Sequence, residues 1–503
     1  VGFQGANVSS APLEALRAFG PGGILLFGRN VGPADDFRAL VAELRAAATV
    51  APLIALDQEG GRVARITDPD LVVQLPSPMA LAAGGDADAC RAAGLALGRD
   101  LARLGISVNF APCADLALDP ASTVIGTRSF GDRPADVAAY VTAFARGLEA
   151  GGVAATIKHF PGHGATAVDS HLALPRIAAP AGVLRVRDLV PFASAIAAGA
   201  ASIVMSAHVL VPALDAANPA TLSAAVLTGL LREQLGFRGV IATDCLEMAA
   251  IADAAGTAAG AVRAVTAGAD LLLVSHHLER AGEAADAIVA AVERGTLPLE
   301  RLAAAAARVG ELRARYARPH PTDAEVAPDL AQRAAQAAVT ALGDDLRLAA
   351  GKPVTVISFE GALSDGVSDV RARRPSLSAA LRARRWKSEL LRVPLEPERG
   401  DLDLLVAELA SLGARNFVLV IRQARLHAGQ RAAVKRILAL APDAIVICAG
   451  EPFDAAAIPS ARRVACIYGD EASALEGCAD VLSGRIAPTG RLPVSIDRAL
   501  VVR

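Results

Sequence analysis

What limits the fold of this chain most is a theme repeated along its first two-thirds. A short apolar run ends in a polar or Gly-marked turn, and an amphipathic, Ala-rich segment follows. The runs predict strands at 1–3, 23–27, 53–56, 107–110, 153–157, 202–205, 240–243 and 269–274. Each is a short continuous apolar stretch bounded by turn residues, the pattern of a buried strand. Strand–helix alternation sustained over about 250–300 residues is the signature of a (β/α)8 barrel of the TIM type. The predicted catalytic domain therefore spans 1–315.

Beyond it the pattern lapses. Residues 316–329 are rich in Pro and acidic side chains without periodicity, which reads as a linker, and a helical segment at 330–342 leads onward. The linker and its helix occupy 316–344. A second set of apolar runs at 353–359, 417–421, 444–448 and 464–468 predicts a smaller α/β domain over 345–503, a parallel sheet covered by helices on both faces. It has no G-x-G-x-x-G loop, which removes the main support for a dinucleotide site. The Gly/Pro-rich close, 484–496, predicts a turn feeding a final strand.

Composition narrows the function. Of 503 residues 53 % are hydrophobic and the net charge is -2, so a large core is available and a nucleic-acid or anionic-membrane surface is not expected. No apolar run approaches the roughly 20 residues of a membrane span. The six cysteines (Cys90, Cys113, Cys245, Cys448, Cys466, Cys478) form no C-x-x-C pair and mostly sit in or beside apolar runs. They read as free, buried thiols. That suits a reducing compartment, and a cytoplasmic location is the expectation. The chain opens at Val1 without Met, which leaves room for a removed leader.

The chemistry gathers where the predicted strands end. Asp57-Gln-Glu59-Gly-Gly-Arg62 follows the third, Ala111-Pro112 and later Arg128-Ser-Phe-Gly131 the fourth. Lys158-His159 follows the fifth, Ser206 and His208 the sixth. Asp244-Cys-Leu-Glu247-Met248 follows the seventh and Ser275-His276-His277 the eighth. In a barrel these ends share one face, where catalytic groups collect. The densest stretch is Lys158-His-Phe-Pro-Gly-His-Gly-Ala-Thr-Ala-Val-Asp-Ser-His171, with three of the chain's eight histidines. Ionisable groups so close to a core strand must be paired or functional.

Glycoside hydrolysis would use such a face, with a carboxylate nucleophile and a proton donor on opposite sides of the scissile bond. Asp244, ending an apolar strand, is the nucleophile candidate; the competing reading is a helix N-cap. His171 is the donor candidate, because imidazole titrates near neutral pH. Asp169, two residues away, can hold one ring nitrogen and aim the other. Asp57, Arg65, Arg128, Lys158 and His159 offer charge-assisted hydrogen bonds to sugar hydroxyls; a structural ion pair is the alternative for either arginine. A metal site on His159, His163, His171 and Asp169 is a weaker option, since Pro161 and Gly162 prevent a helix that would put the first two on one face. No metal or cofactor is expected.

Several of these stretches resemble a known family. Lys158-His-Phe-Pro-Gly-His-Gly164 followed by Asp169-Ser-His171 is similar to the hallmark of bacterial β-N-acetylglucosaminidases of glycoside hydrolase family 3. So are Leu56-Asp-Gln-Glu-Gly-Gly-Arg-Val-Ala-Arg65, Asn109-Phe-Ala-Pro112, Arg128-Ser-Phe-Gly131 and Thr243-Asp-Cys-Leu-Glu-Met248. The resemblance covers residues 1–315, and the second domain resembles that of the family's two-domain members. It implies a retaining exo-β-N-acetylglucosaminidase with Asp244 as nucleophile and a His171–Asp169 acid/base dyad. It also implies that Asp57, Arg65, Arg128, Lys158 and His159 hold the sugar. The implied substrates are cell-wall muropeptides or other N-acetylglucosamine glycosides. One departure is Ala165-Thr166 where the family often has Asp-Thr. Two alternatives stay open: phosphorolysis, since a histidine repels an incoming phosphate less than a carboxylate would, and a non-catalytic sugar-binding role. No catalytic side chain is expected from the second domain, because every matched catalytic motif ends by Met248.

Overall fold

The computed structural model describes residues 1–6, 17, 20–47, 50–166, 173–317, 328–361 and 375–496. Seven of the eight predicted runs are strands of one curled parallel sheet. These are β1 (Gly23–Leu25), β2 (Leu53–Leu56), β5 (Val108–Asn109), β6 (Ala154–Phe160), β7 (Ile203–Ser206), β8 (Val240–Cys245) and β9 (Leu271–Leu273), paired in that order. Two short strands, β3 (Gln58–Gly60) and β4 (Val63–Ala64), form a hairpin directly after β2.

The eighth run, 1–3, is not a strand, which corrects the expected count. It lies against β1 through the Val1 ammonium on the Gly23 carbonyl (3.0 Å) and the Leu25 N–H on the Val1 carbonyl (2.8 Å). On its other side Gly2 sits so close to Ser275 that a Cβ would stand 2.1 Å from the Ser275 carbonyl oxygen. Three residues are too few for a regular ladder, yet they bridge the two edges of the sheet.

Side chains alternate between two cores as the strand period of two requires. Leu53, Ala55, Ala154, Ile203, Met205, Val240 and Ala242 point into the barrel. Ile54, Leu56, Ala155, Ile157, Val204 and Ile241 point out beneath the surrounding helices. With both faces covered, each Leu or Ile so buried contributes roughly 1.5–3 kcal/mol. This is why the strands read as unbroken apolar runs.

The second sheet has six strands: β10 (Thr340–Gly343), β11 (Val354–Glu360), β12 (Ser388–Pro394), β13 (Asn416–Ile421), β14 (Ile445–Cys448) and β15 (Arg463–Cys466). Their order is β10-β15-β14-β13-β11-β12. All pairs are parallel except β10 with β15, an antiparallel edge. The predicted helix at 330–342 is a helix at Pro328–Ala338 followed by β10. The final strand expected within 484–496 does not form. Pro488 and Pro493 supply no N–H for a ladder. The segment instead runs back to the first domain, with Arg491 N–H on the Ala83 carbonyl (2.9 Å) and Asp132 N–H on the Pro493 carbonyl (3.2 Å).

The two domains share a core. The helix Pro78–Gly84, capped by the Ser77 hydroxyl on Ala80 N–H (3.2 Å), sends Met79, Ala80 and Ala83 into the hydrophobic cluster of the second sheet. Ser77 also donates to the Tyr468 carbonyl (2.8 Å). All six cysteines are buried, and none is in a disulfide. No described helix is long and apolar enough to cross a membrane.

Candidate active site

The C-terminal ends of the barrel strands enclose a cavity lined by Asp57, Arg65, Arg128, Lys158, His159 and Asp244, among others. Six of the eight predicted site residues thus converge from four different strands or the loops after them. The other two, Asp169 and His171, lie outside the described residues. A larger cavity, about 190 Å³, lies along β1, β9 and the helix Leu278–Glu293, lined mainly by apolar side chains and glycines.

Lys158 and His159 belong to β6 itself, which runs on to Phe160, past the predicted end at 157. A lysine and a histidine fit inside a fully buried strand because each has a partner. Lys158 Nζ lies 2.6 Å from Asp57 Oδ1 and 2.6 Å from Glu59 Oε1. Arg65 Nη2 holds the other Asp57 oxygen at 3.2 Å. Arg128 grips Glu59 with two parallel bonds, Nε to Oε2 at 2.8 Å and Nη2 to Oε1 at 2.7 Å. Such forked pairs are the strong form of the ion pair. Burial alone would push the Asp57 carboxyl up, but Lys158 and Arg65 outweigh it and hold it below its usual value. Glu59, opposed by burial, is likewise held down by Arg128 and Lys158. Both carboxylates are therefore ionised acceptors, and neither is a proton donor.

The hairpin that presents Glu59 depends on its two glycines. Gly60 and Gly61 have φ of +102° and +58°, and a Cβ on Gly60 would stand 2.5 Å from the Pro76 carbonyl oxygen. That is why the motif turns on Gly-Gly.

His159 is oriented from behind. Its Nδ1 is 2.6 Å from Asp115 Oδ2, and its Nε2 is 3.4 Å from Arg128 Nη2. Asp115 also accepts the backbone N–H of His159 (3.1 Å) and of His163 (2.6 Å). Burial opposes its charge, but His159 and His163 bring the carboxyl down to about 2. His163, buried, is pushed down to about 4 chiefly by desolvation, so it is neutral at pH 7. Cys113, Asp115 and His159 have donor atoms within 4.8 Å of one another and are the one group among the described residues with metal-ligand chemistry. Burial, helped by Asp115, pushes the Cys113 thiol well up, which disfavours the thiolate a metal needs. Asp115 is already spent on hydrogen bonds, so the group reads as an orienting network.

Asp244 stands near the end of β8, half-buried on the cavity wall, with Oδ1 accepting the Cys245 N–H at 2.7 Å. The strand end beneath it is fixed from two sides. His208 Nε2 donates to the Cys245 carbonyl (2.9 Å), with its Nδ1 2.8 Å from Thr221 Oγ1, and Ser206 joins the same threonine (2.9 Å). Glu247 accepts the N–H groups of Ser275 (2.8 Å) and His276 (2.7 Å), tying β8 to the loop after β9. Ser206, His208 and Glu247 thus brace the wall from behind. His276 completes the rim, stacked on Phe27 with ring centroids 5.2 Å apart.

The model of the "Glycosyl hydrolase family 3 N terminal domain" matches residues 4–312. The chain belongs to glycosyl hydrolase family 3. It is a glycoside hydrolase by that membership, and its two-domain architecture is that of a solved relative. A family 3 β-N-acetylglucosaminidase from Paenibacillus sp. str. FPU-7 superposes with a TM-score of 0.91 at 37 % identity, over 98 % of this chain and 97 % of that one. A beta-hexosaminidase of Chromobacterium violaceum is 40 % identical over 293 residues, 56 % of this chain and 80 % of its own length. Beta-hexosaminidase A of Pseudoalteromonas piscicida is 36 % identical over 326 residues, 60 % of this chain and 54 % of its own length. The chain thus spans about half the length of that last relative.

Sequence reasoning missed Asp115, and it put Glu59 and His276 at strand ends without giving either a role in the site. Asp115 had a signal: it is the only charged residue in the stretch 106–118, where every other residue but Ser107 and Asn109 is apolar. Glu59 stood in a recognised motif, but its partners Arg128 and Lys158 lie 69 and about 100 residues away in the chain. Only the fold joins them.

Proposed function

We propose that the chain releases terminal β-linked N-acetylglucosamine by a retaining, two-step route, with Asp244 as nucleophile and His171, oriented by Asp169, as acid/base. The beta-hexosaminidase activity named for its relatives supports the reaction class. The single observation that carries the residue roles is that the cavity wall brings together two carboxylates in different places, Asp57 among cations and Asp244 at the end of β8. Asp57 has both oxygens held by cations, Lys158 on one and Arg65 on the other, which lowers its basicity and makes it a hydroxyl acceptor. Asp244, at the strand end with the Cys245 N–H on Oδ1, takes the other role, attack on the anomeric carbon.

In the first step Asp244 forms the glycosyl ester while His171 gives its proton to the leaving oxygen. In the second His171 takes a proton from water, which releases the sugar with its configuration retained. Asp57, Arg65, Arg128, Lys158 and His159 bind the hydroxyl and acetamido groups. The favoured substrates are N-acetylglucosamine glycosides, muropeptides of the cell wall included. A chromogenic N-acetylglucosamine glycoside tests the activity, and a slow fluoro-sugar should label Asp244. No turnover, or a label on another carboxylate, rejects the reading.

A further inference from the structure

The loop between β5 and the helix Pro134–Ala150 carries Arg128 and Val124 into the cavity. It is held from the second domain at three points. Arg425 reaches across to the Pro120 carbonyl. At the far end, the Asp132 N–H bonds the Pro493 carbonyl and Asp132 Oδ2 accepts the Ser495 N–H at 2.6 Å. Between them stands Glu451, just past the C-terminal end of β14.

Glu451 Oε1 lies 3.8 Å from Arg62 Nη1, and Arg62 Nη2 donates to three successive carbonyls of the loop, Thr123 (2.8 Å), Val124 (3.1 Å) and Ile125 (3.1 Å). The same Val124 carbonyl accepts from Arg128 Nη1 at 3.1 Å. Glu451 is anchored in turn by Arg425, whose Nη1 is 3.2 Å from Oε2. Glu451 also touches the loop directly. Gly126 has φ of +45°, and a Cβ there would stand 2.2 Å from Glu451 Oε1. The side chains of Glu451 and Arg425 are 5 % and 3 % exposed, so water does not replace these contacts. A carbonyl and a forked ion pair then hold the Arg128 guanidinium from two sides, and a binding site needs its groups placed to within about 0.5 Å.

We propose that Glu451 is a positioning residue for the sugar site: through Arg62 and the 123–125 carbonyls, the second domain sets the loop that presents Arg128 to the substrate. This rests on the N-acetylglucosaminidase reading for its kinetic consequence, but its structural part stands apart from it. The second domain contributes no described side chain to the cavity, and it determines substrate affinity all the same.

The test uses the full chain. Glu451→Gln keeps the shape and removes the charge; Gly126→Ala pushes on the same contact from the other side. For each, KM and kcat are measured on a chromogenic N-acetylglucosamine glycoside, and amide hydrogen exchange is followed by mass spectrometry. The expected result is a KM raised roughly tenfold with kcat within about threefold, the signature of lost uniform binding. Exchange should quicken about tenfold or more in peptides covering 119–132 and stay unchanged in the barrel helix Leu278–Glu293. The double variant should be no worse than the worse single one, because both break one contact. Unchanged KM and unchanged exchange in 119–132 overturn the proposal, as does a uniform rise in exchange across the barrel. Absence of turnover in the wild type removes the proposed activity, and the exchange pattern then decides the positioning alone.

Discussion

Two buried ionic clusters of similar chemistry lie on either side of the loop 119–132. At the barrel mouth Asp57 and Glu59 meet Lys158, Arg65 and Arg128. At the domain junction Glu451 and Asp454 meet Arg425 and Arg62. The first has one more cation than anion and opens on a cavity, where Asp57 keeps 16 % of its side chain exposed. The second is balanced, with its carboxylates 5 % and 0 % exposed. An ion cluster with an open face and a spare charge can take a ligand. A closed, balanced one can only fix the elements that supply it. Buried ion pairs alone do not make a binding site; the open face and the spare charge separate it from a clamp.

The sharpest way to break this contrast is to remove the carboxylate to which attack is assigned, at the end of β8 on the cavity wall. Asp244→Ala should lower turnover by roughly 10⁴-fold or more, as expected for a nucleophile, with the melting temperature within a few degrees of wild type. Near-normal activity would move the nucleophile elsewhere. Next in size, His171→Ala should slow glycosides with poor leaving groups by about 10²–10⁴-fold and nitrophenyl glycosides far less. Azide should partly restore turnover on the latter, since it needs no general base. Equal losses on both substrates, without azide rescue, would make His171 a binding residue.

Lys158→Met and Arg425→Met compare the clusters directly. Each strands buried carboxylates, and each should cost about 3–5 kcal/mol of stability by denaturant titration. They should differ in what else they change. Lys158→Met should abolish sugar binding, while Arg425→Met should weaken it only through the loop. If Arg425→Met proves as inactive as Lys158→Met while folded, the division into site and clamp fails.

The smallest effect is a pH dependence. His163 is held near 4 in the fold against an ordinary value near 6.5. The folded state then binds fewer protons than the unfolded one between those values, so its contribution is complete above about pH 6.5 and falls away towards pH 4. At most roughly 3 kcal/mol is involved. Asp115, held near 2, adds a further loss only below about pH 4. Melting temperature should fall from pH 6.5 to 4, and His163→Asn should flatten that slope. An equally steep slope in the variant would assign it to other groups.

Seven barrel strands and four of the second sheet are legible in the sequence, because strands buried on both faces are unbroken apolar runs. Besides the short β3–β4 hairpin, the strands that escape, Thr340–Gly343 and Ser388–Pro394, are the two edges of the second sheet. Each is partly exposed and mixes charged or small residues with apolar ones, so its pattern fades. Lys158 and His159 read as following their strand because a charge in a core strand makes sense only with partners. Those partners, Asp57 and Asp115, lie 101 and 44 residues back. Six side chains that line the cavity are readable from motifs. What lies behind them is less so: Asp115 stands out locally as a lone charge, but nothing in the sequence ties it to His159, or Glu451 to Arg62.

The helix Pro78–Gly84 has a consequence for how such proteins can be recombined. Its sequence lies deep in the barrel half, yet Met79, Ala80 and Ala83 pack with the second sheet, and Gly84 lies so close to Ala338 that a Cβ would stand 2.5 Å from its backbone nitrogen. A chimera spliced at the visible boundary near residue 317 would therefore part this helix from the surface it was selected to fit. The heritable unit that travels with the second domain is discontinuous: residues 77–85 go with 328–496. Swaps that carry both pieces should yield soluble protein where swaps of the contiguous half do not.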